Sequence, residues 1–530
     1  MRTQLLIGGR FYSSSSPDAT AMAVSDGTVV WLGAEQPGRA LHPDAEIIDL
    51  DGAFVAPAFV EPHIHLTATG LRLTGLDLSG TRSLAECLTA VTDFAAAHPD
   101  ATILGSGWDE TRWPERRAPS AEELDTAAGA GRRVYLARVD AHSAAVSTAL
   151  LDAVPPATPG YTPGEPLRAQ AHHLVRAAAL AGLDRAQRDH ARRAALDAAA
   201  AHGIVAVHEC AGPEIAGRED LRELLEFEHG VGVRAYWGEA VRTVEEAREL
   251  ITATGAHALG GDLFVDGSLG SRTAWLREPY ADAPGTGNGY LDADAIGAHV
   301  RACTEAGVQA GFHVIGDAGA DAVVTGFERA VEALGGPAVA SRGHRVEHAE
   351  MLDAGQIEKL ARWGVIASVQ PAFDAAWGGP DGMYAARLGV QRAARLNPFA
   401  AMASAGISLA IGSDAPVTEL NPWAAVRAAA LHRTLEHGIS PRAAFAAATR
   451  GAWRAGGVRD GVAGTLVPGA PADYAIWEAD ELVVAASTAS VQRWSTDPRS
   501  RVPGLPALES DSPLPRCLRT VRAGATIHEA

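Results

Sequence analysis

Two histidines one residue apart, His63 and His65, close an apolar run in Glu61-Pro62-His63-Ile64-His65. In an extended strand residues i and i+2 share a face, so both imidazoles project the same way. Two ring nitrogens on one face can chelate a borderline divalent ion such as zinc. Three further groups of this kind end apolar runs later in the chain. They are His313 in Gly311-Phe312-His313-Val314-Ile315-Gly316-Asp317, His348 after Glu347, and Asp414 in Gly412-Ser413-Asp414-Ala415-Pro416. A lone histidine in such a place commonly serves packing. Four of them with an aspartate, all at the same ends of their runs, point to one metal site. A divalent ion held there would bring the pKa of water toward ~7 and so supply a nucleophile for hydrolysis.

The elements that must position these groups alternate short strands with helical stretches. Candidate strands are Ala58–Ile64, Gly203–Val207, Val231–Tyr236, Leu263–Val265, Val308–Phe312, Arg345–Glu347, Val365–Val369 and Ile407–Ile411. Helical patterns separate them, Ala191–Ala201 and Ala354–Trp363 among them. Eight strand–helix units predict an α/β fold, a (β/α)8 TIM-like barrel, whose sites lie at the C-terminal strand ends. The gap after the first strand is too long for one helix. It predicts an inserted α/β subdomain over about 70–200, with strands at Ile103–Gly105 and Val134–Val139. Both chain ends are β-rich: Leu5-Leu6-Ile7, the Asp26-Gly27 hairpin signal, Asp473–Trp477 and Arg519–Arg522. They predict a small β-sandwich built from both termini, 1–57 with 455–530, around a barrel over 58–454. A Pro- and Ser-rich stretch from about Ser495 to Pro515 reads as a loop.

Composition narrows the function classes. Hydrophobic residues make up 47% of the 530 and charged ones 21%, enough for a full core. A net charge of −19 argues against nucleic acid and anionic membrane surfaces as partners. No apolar run is long enough for a transmembrane helix. The four cysteines, Cys87, Cys210, Cys303 and Cys517, form no pairing pattern and read as buried thiols in a reduced, cytoplasmic setting. A small-molecule substrate is expected, and homo-oligomerisation is left open. Lysine occurs once, at Lys359, on a predicted solvated helix face.

The order His-x-His, His, His, Asp resembles the amidohydrolase superfamily. Longer stretches resemble its third subfamily, which includes N-substituted formamide deformylases. These are Phe264-Val265-Asp266-Gly267-Ser268-Leu269-Gly270-Ser271-Arg272-Thr273-Ala274, then His313 to Asp317, then Arg345-Val346-Glu347-His348-Ala349. Gly107-Trp108-Asp109 and Arg138-Val139-Asp140-Ala141-His142 match within the insert, and Gly464-Thr465-Leu466 with Ala472-Asp473 near the C-terminus. The resemblance spans almost the whole chain. Ala58, Glu61 and Ser147 depart from the family's usual glycine, aspartate and asparagine. The important departure is Asp262, where many relatives carry a lysine whose carbamate bridges two metals. With Lys359 the only lysine, a carbamylated-lysine bridge is excluded here.

The resemblance implies a divalent-metal hydrolase, most simply a zinc enzyme, cleaving a non-peptide C–N bond of amide type. Two metal arrangements follow. One ion is favoured, held by His63, His65, His313 and Asp414, with His348 beside the substrate oxygen. In the other, two ions share a carboxylate from Asp262 or Glu209. Aspartate is much shorter than a lysine carbamate, so Asp262 is expected at the rim. Asp414 would take a proton from water and return it to the leaving nitrogen, and His348 would steady the developing oxyanion. Trp108, His142, Asp266 and Arg272 are candidate substrate-binding residues, with Arg272 a clamp for a carboxylate. Phe373, Trp377 and Met383 sit in a Gly-rich stretch that could form a lid. A mononuclear deaminase of an aminated heterocycle or amidine shares these ligands. A catalytically inactive binding module on the same scaffold would have no need of them.

Overall fold

Eight buried strands run parallel, each hydrogen-bonded to the next in chain order. We number them β1 (Phe59–Ile64), β2 (Ile204–Ala211), β3 (Gly232–Trp237), β4 (Ala258–Leu259), β5 (Gln309–Val314), β6 (Arg345–His348), β7 (Ile366–Val369) and β8 (Ser408–Ile411). Strands covered on both faces need apolar side chains on both, which is why they read as continuous hydrophobic runs. The circle closes just past β8, where His65 N donates to Ala415 O at 2.9 Å and Asp414 N to His63 O at 3.0 Å. The same two bonds carry three of the candidate ligands to one place. This computed structural model describes residues 3–99, 102–484 and 503–530.

The fourth strand differs from expectation. It is Ala258–Leu259, and the chain then turns through Gly260-Gly261 before Leu263–Val265 runs alongside β5. Helices between the strands start at side-chain caps: Thr243, Asp292 and Asp353 each accept from the backbone amide three residues on. Lys359 lies on one of these helices, exposed and paired with Glu328 at 2.6 Å.

After β1 and its helix Leu66–Thr74, the chain enters the insert. This is a five-stranded sheet of Leu76–Asp77, Ile103–Trp108, Val134–Arg138, Ser143–Val146 and Leu167–Arg168, packed with helices Leu84–Ala97, Ala121–Ala128 and Ala169–Leu180. Helix Arg185–Ala201 then returns to the barrel. The chain ends meet in a small β-sandwich. Phe54–Pro57 pairs with Tyr474–Glu478, which pairs with Arg516–Arg522. A second sheet holds Thr3–Ile7, Ala21–Ser25, Thr28–Gly33 and Glu46–Asp49. Leu6, Met22, Val29, Tyr474 and Val521 share its core. Of the Pro- and Ser-rich stretch, residues 495–502 lie outside the described residues, and the rest is loop apart from Leu505–Pro506, which pairs with Leu482–Val483. All four cysteines are buried and unpaired.

Candidate metal centre

Six side chains converge at the C-terminal mouth of the barrel. From β1, His63 places Nε2 3.3 Å from Asp262 Oδ1 and 3.4 Å from Asp414 Oδ1. His65 Nε2 lies 3.2 Å from Asp262 Oδ2 and 3.3 Å from Asp414 Oδ1. From β5, His313 brings Nδ1 to 3.4 Å from Asp262 Oδ1, and His348 at the end of β6 brings Nε2 to 3.9 Å. Asp262 therefore stands between two histidine pairs, with Asp414 against the first.

The expectation that Asp262 would sit at the rim is wrong, and the reason is local. A Cβ on Gly260 would lie 2.4 Å from Gly311 N, and one on Gly261 2.9 Å from Cys210 Sγ. Gly261 has φ +70°. Without side chains there, the main chain presses between β2 and β5 and carries the short aspartate inward.

Three of the four imidazoles are oriented from behind. His63 Nδ1 lies 2.9 Å from Glu347 Oε2, and His348 Nδ1 lies 2.8 Å from Gln370 Oε1. His313 Nε2 lies 3.2 Å from the Gly267 carbonyl. Acceptors on those sides hold the proton there and turn a lone pair toward the cluster. Arg345 in turn fixes Glu347, with Nε 2.9 Å from Oε1 and Nη2 2.7 Å from Oε2. Although burial opposes it, Arg345 and His63 hold the Glu347 carboxyl down at about 2. Neither Glu347 nor Gln370 was given a role from sequence. Glu347 was findable, as the buried carboxylate next to a candidate ligand.

The inward-facing atoms, His63 Nε2, His313 Nδ1, His348 Nε2, Asp262 Oδ1 and Asp414 Oδ1, are buried and have no hydrogen-bond partner. Buried polar atoms left unpaired are costly, and cations held among them would satisfy them. Four imidazoles and two carboxylates suit a borderline divalent ion. His348 and Asp414 also hold left-handed backbone, at φ +68° and +54°, which non-glycine residues adopt at a cost.

Glu61 carries no ligand atom to the cluster. It accepts from His63 N and Ser413 N, tying β1 to the turn that bears Asp414, and burial pushes its carboxyl up to about 7. Glu209 also stays outside. Its Oε2 accepts from Leu66 N at 2.7 Å, capping the helix after His65.

Three substrate-binding expectations need correction. Trp108 is fully buried, donates to the Leu136 carbonyl at 2.8 Å and packs in the core of the insert. Asp266 spends its carboxylate on the backbone amides of Trp275, Ile315 and Gly316, which locks the segment after β4 to the end of β5. Arg272 is held by Asp282 at 2.9 Å and lines neither of the cavities beside the cluster. His142 does reach the site, its ring centroid 5.7 Å from that of His313. Asp140 accepts from His142 N at 3.2 Å and from Ser271 Oγ at 2.8 Å, so the insert clasps the segment after β4. Phe373 and Trp377 lie on helix Pro371–Trp377 and Met383 opens helix Met383–Leu388, with the glycines between them, and Phe373 stacks on His348.

A cavity of about 140 Å³ adjoins the cluster, walled by Leu71, Tyr135, His142, His172, His173 and Phe264. Burial, then the His313 charge, lowers the His142 imidazole to about 4. Burial, then Arg176, lowers His173 to about 3. The cavity thus sets neutral aromatic rings near neutral pH beside the guanidinium groups of Arg72 and Arg176, which share its wall. His172 and His173 were not singled out from sequence, although two adjacent histidines on a helix beside the barrel mouth were visible there.

The amidohydrolase family profile matches residues 46–528. The chain belongs to the amidohydrolase family. Among relatives of this amidohydrolase is a Bacillus subtilis (strain 168) protein named as the amidohydrolase YtcJ, 28% identical over 450 residues, covering 78% of this chain and 80% of that one. N-substituted formamide deformylase of Arthrobacter pascens is 25% identical over 471 residues, 80% of this chain and 84% of that one. A crystal structure of an uncharacterised metal-dependent hydrolase from Pyrococcus furiosus superposes with a TM-score of 0.69 at 25% identity, covering 90% of this chain and 99% of that one. The amidohydrolase is thus a metal-dependent hydrolase of a family acting on small molecules, served by a divalent ion. No helix among the described residues is long and apolar enough to cross a membrane.

Proposed function

We propose that this amidohydrolase cleaves a non-peptide C–N bond of amide type in a small, largely apolar substrate, with two divalent ions, most simply zinc, sharing Asp262. The observation that carries the reading is Asp262 set between the His63–His65 pair and the His313–His348 pair. That placement favours two ions over the single ion favoured from sequence. His63, His65 and Asp414 with one Asp262 oxygen would hold the first, and His313 and His348 with Asp262 the second. When bound, such ions polarise a carbonyl and lower the pKa of water.

The chain's own groups do the rest. Asp414, buried against the first histidine pair and bordering the cavity, takes a proton from the attacking water and passes it to the leaving nitrogen. Burial would raise its carboxyl, but the charge and hydrogen bonds of His63 and His65 hold it low, so it is ionised and able to accept. His142, kept neutral, offers an N–H to the substrate oxygen. The aromatic walls favour an apolar substituent, and Arg72 and Arg176 in the same wall would accept a polar group at its edge. The similarity to N-substituted formamide deformylase supports the bond type.

The test is a screen of zinc-loaded protein against N-substituted formamides and simple amides, following formate or carboxylate release. Ammonia release from aminated heterocycles or amidines is followed in parallel. Asp414→Asn should lose about 10²–10⁴-fold in turnover per bound metal, with metal content read by elemental analysis. Near-normal turnover in that variant removes Asp414 from its role. Ammonia as the sole product replaces the amide reading with deamination.

A further inference from the structure

At the opposite, N-terminal mouth of the barrel lies a second cavity, of about 300 Å³. Its wall includes Arg234 at the start of β3, Arg342 before β6 and Arg459 from the segment beyond the barrel. No aspartate or glutamate lines it, and none of the three arginines has an ion pair among the described residues. In a chain of net charge −19, three unpaired arginines around one cavity are unexpected.

Their surroundings are built for close approach. A Cβ on Gly457 would stand 3.7 Å from Arg234 Nη2, and one on Gly307 3.7 Å from Arg342 Nη1. A Cβ on Gly343 would stand 2.7 Å from Arg459 Nη2. Only at Gly343 would a side chain crowd its guanidinium, that of Arg459; Arg234 and Arg342 lie at ordinary contact distance from Gly457 and Gly307. Arg234 Nε and Arg342 Nε are buried without a partner. The neutral polar groups nearby are already spoken for: Tyr236 Oη lies 2.9 Å from Gln309 Oε1, and Gln309 Nε2 donates to the Gly343 carbonyl at 2.6 Å. Arg459 uses one nitrogen on the Ser341 carbonyl, and Arg342 lies 3.4 Å from that of Gly307, which leaves most guanidinium hydrogens free. His257, also in the wall, accepts from Ala235 N at Nδ1, so its Nε2 bears the hydrogen.

We propose that this cavity binds a phosphate-type oxyanion, free or as the end group of a small molecule. Planar guanidinium donors match a tetrahedral oxyanion in geometry and charge. The larger alternative has somewhere to lie. Arg459 also borders a groove of about 630 Å³ that combines Arg450 and Arg454 with apolar side chains such as Ile407 and Ile439, with Asp460 the one carboxylate in its wall.

The proposal is tested by melting the zinc-loaded protein in inorganic phosphate, in phenyl phosphate and in chloride at matched ionic strength. Phosphate should raise the melting temperature over chloride by about 2–4 °C at saturating concentration. The rise should vanish in Arg342→Gln/Arg459→Gln and, separately, in Arg234→Gln. It should persist in protein stripped of metal, which separates this site from the cluster at the other mouth. A larger rise with phenyl phosphate assigns the site to a phosphorylated small molecule, and equal rises assign it to the free anion. No rise with either anion, or a rise that survives in the folded variants, overturns the proposal.

Discussion

Asp262 illustrates how a short side chain can stand at the centre of a cluster when the backbone is brought to it. The bare Gly260-Gly261 turn allows that approach, so the consequences of altering either partner differ in kind. Asp262→Asn keeps the shape and removes the charge shared by both histidine pairs. Metal content should fall from about two ions per chain to one or none, read by elemental analysis, with turnover lost. Gly261→Ala keeps the aspartate but asks for a left-handed alanine 2.9 Å from Cys210 Sγ. It should cost about 1–3 kcal/mol in urea unfolding and also lower metal content. Full metal loading in both variants would show that Asp262 is not shared. The histidines and Asp414 were legible because residue type and strand-end position coincide. Asp262 was legible only as the less favoured alternative, since an aspartate is much shorter than a lysine carbamate and the approach of the Gly260-Gly261 backbone is set by the fold. Trp108 and Arg272 misled for a related reason: the partners that bury or neutralise them, Leu136 and Asp282, follow from the fold and not from any local spacing.

At the scale of elements, seven of the eight barrel strands were legible as apolar runs. The fourth was displaced, because Ala258–Leu259 is too short to register while Leu263–Val265 merely continues beside β5. Less legible was how helices cross-brace behind the site. Arg188 grips Glu223 with two bonds of 2.8 Å, and Arg192 reaches Glu223 at 3.0 Å and Asp220 at 2.6 Å. Thr67, two residues beyond His65, bonds Asp220 at 3.0 Å. This ties helices Arg185–Ala201, Gly217–Glu226 and Leu66–Thr74 together, through four charged residues on the first two and a hydroxyl far earlier in the chain. Hydrogen bonds from Arg188, and then from Arg192, outweigh burial and hold the Glu223 carboxyl at about 2, against 4.5 ordinarily. A depressed pKa contributes stability that is present above the unfolded value and lost as pH falls from about 4.5 toward 2. Glu223→Gln should therefore cost on the order of 3 kcal/mol at neutral pH and flatten the acid limb of stability over that window. An unchanged acid limb in the variant would place the effect elsewhere.

For the whole molecule, the cluster binds distant parts of the chain into one object, since its ligands come from β1, β5, β6 and the segments after β4 and β8. The metal-free protein must pack four imidazoles against two carboxylates, and protons then take the place of the cation. Burial would lower the His65 imidazole, but Asp262 and Asp414 carry it up to about 10 from an ordinary 6.5. A raised pKa contributes stability that is complete below 6.5 and is lost as pH rises through about 10. Metal binding needs those nitrogens unprotonated, so its contribution grows over the same range. The two effects act in one direction. Chelation should lower the melting temperature, stoichiometric zinc should restore it, and the gap between loaded and stripped protein should widen steadily from about pH 6.5 to 9. A gap that does not change with pH would mean that protons and cation do not compete for these six side chains, and the convergence on Asp262 would have to be given another purpose.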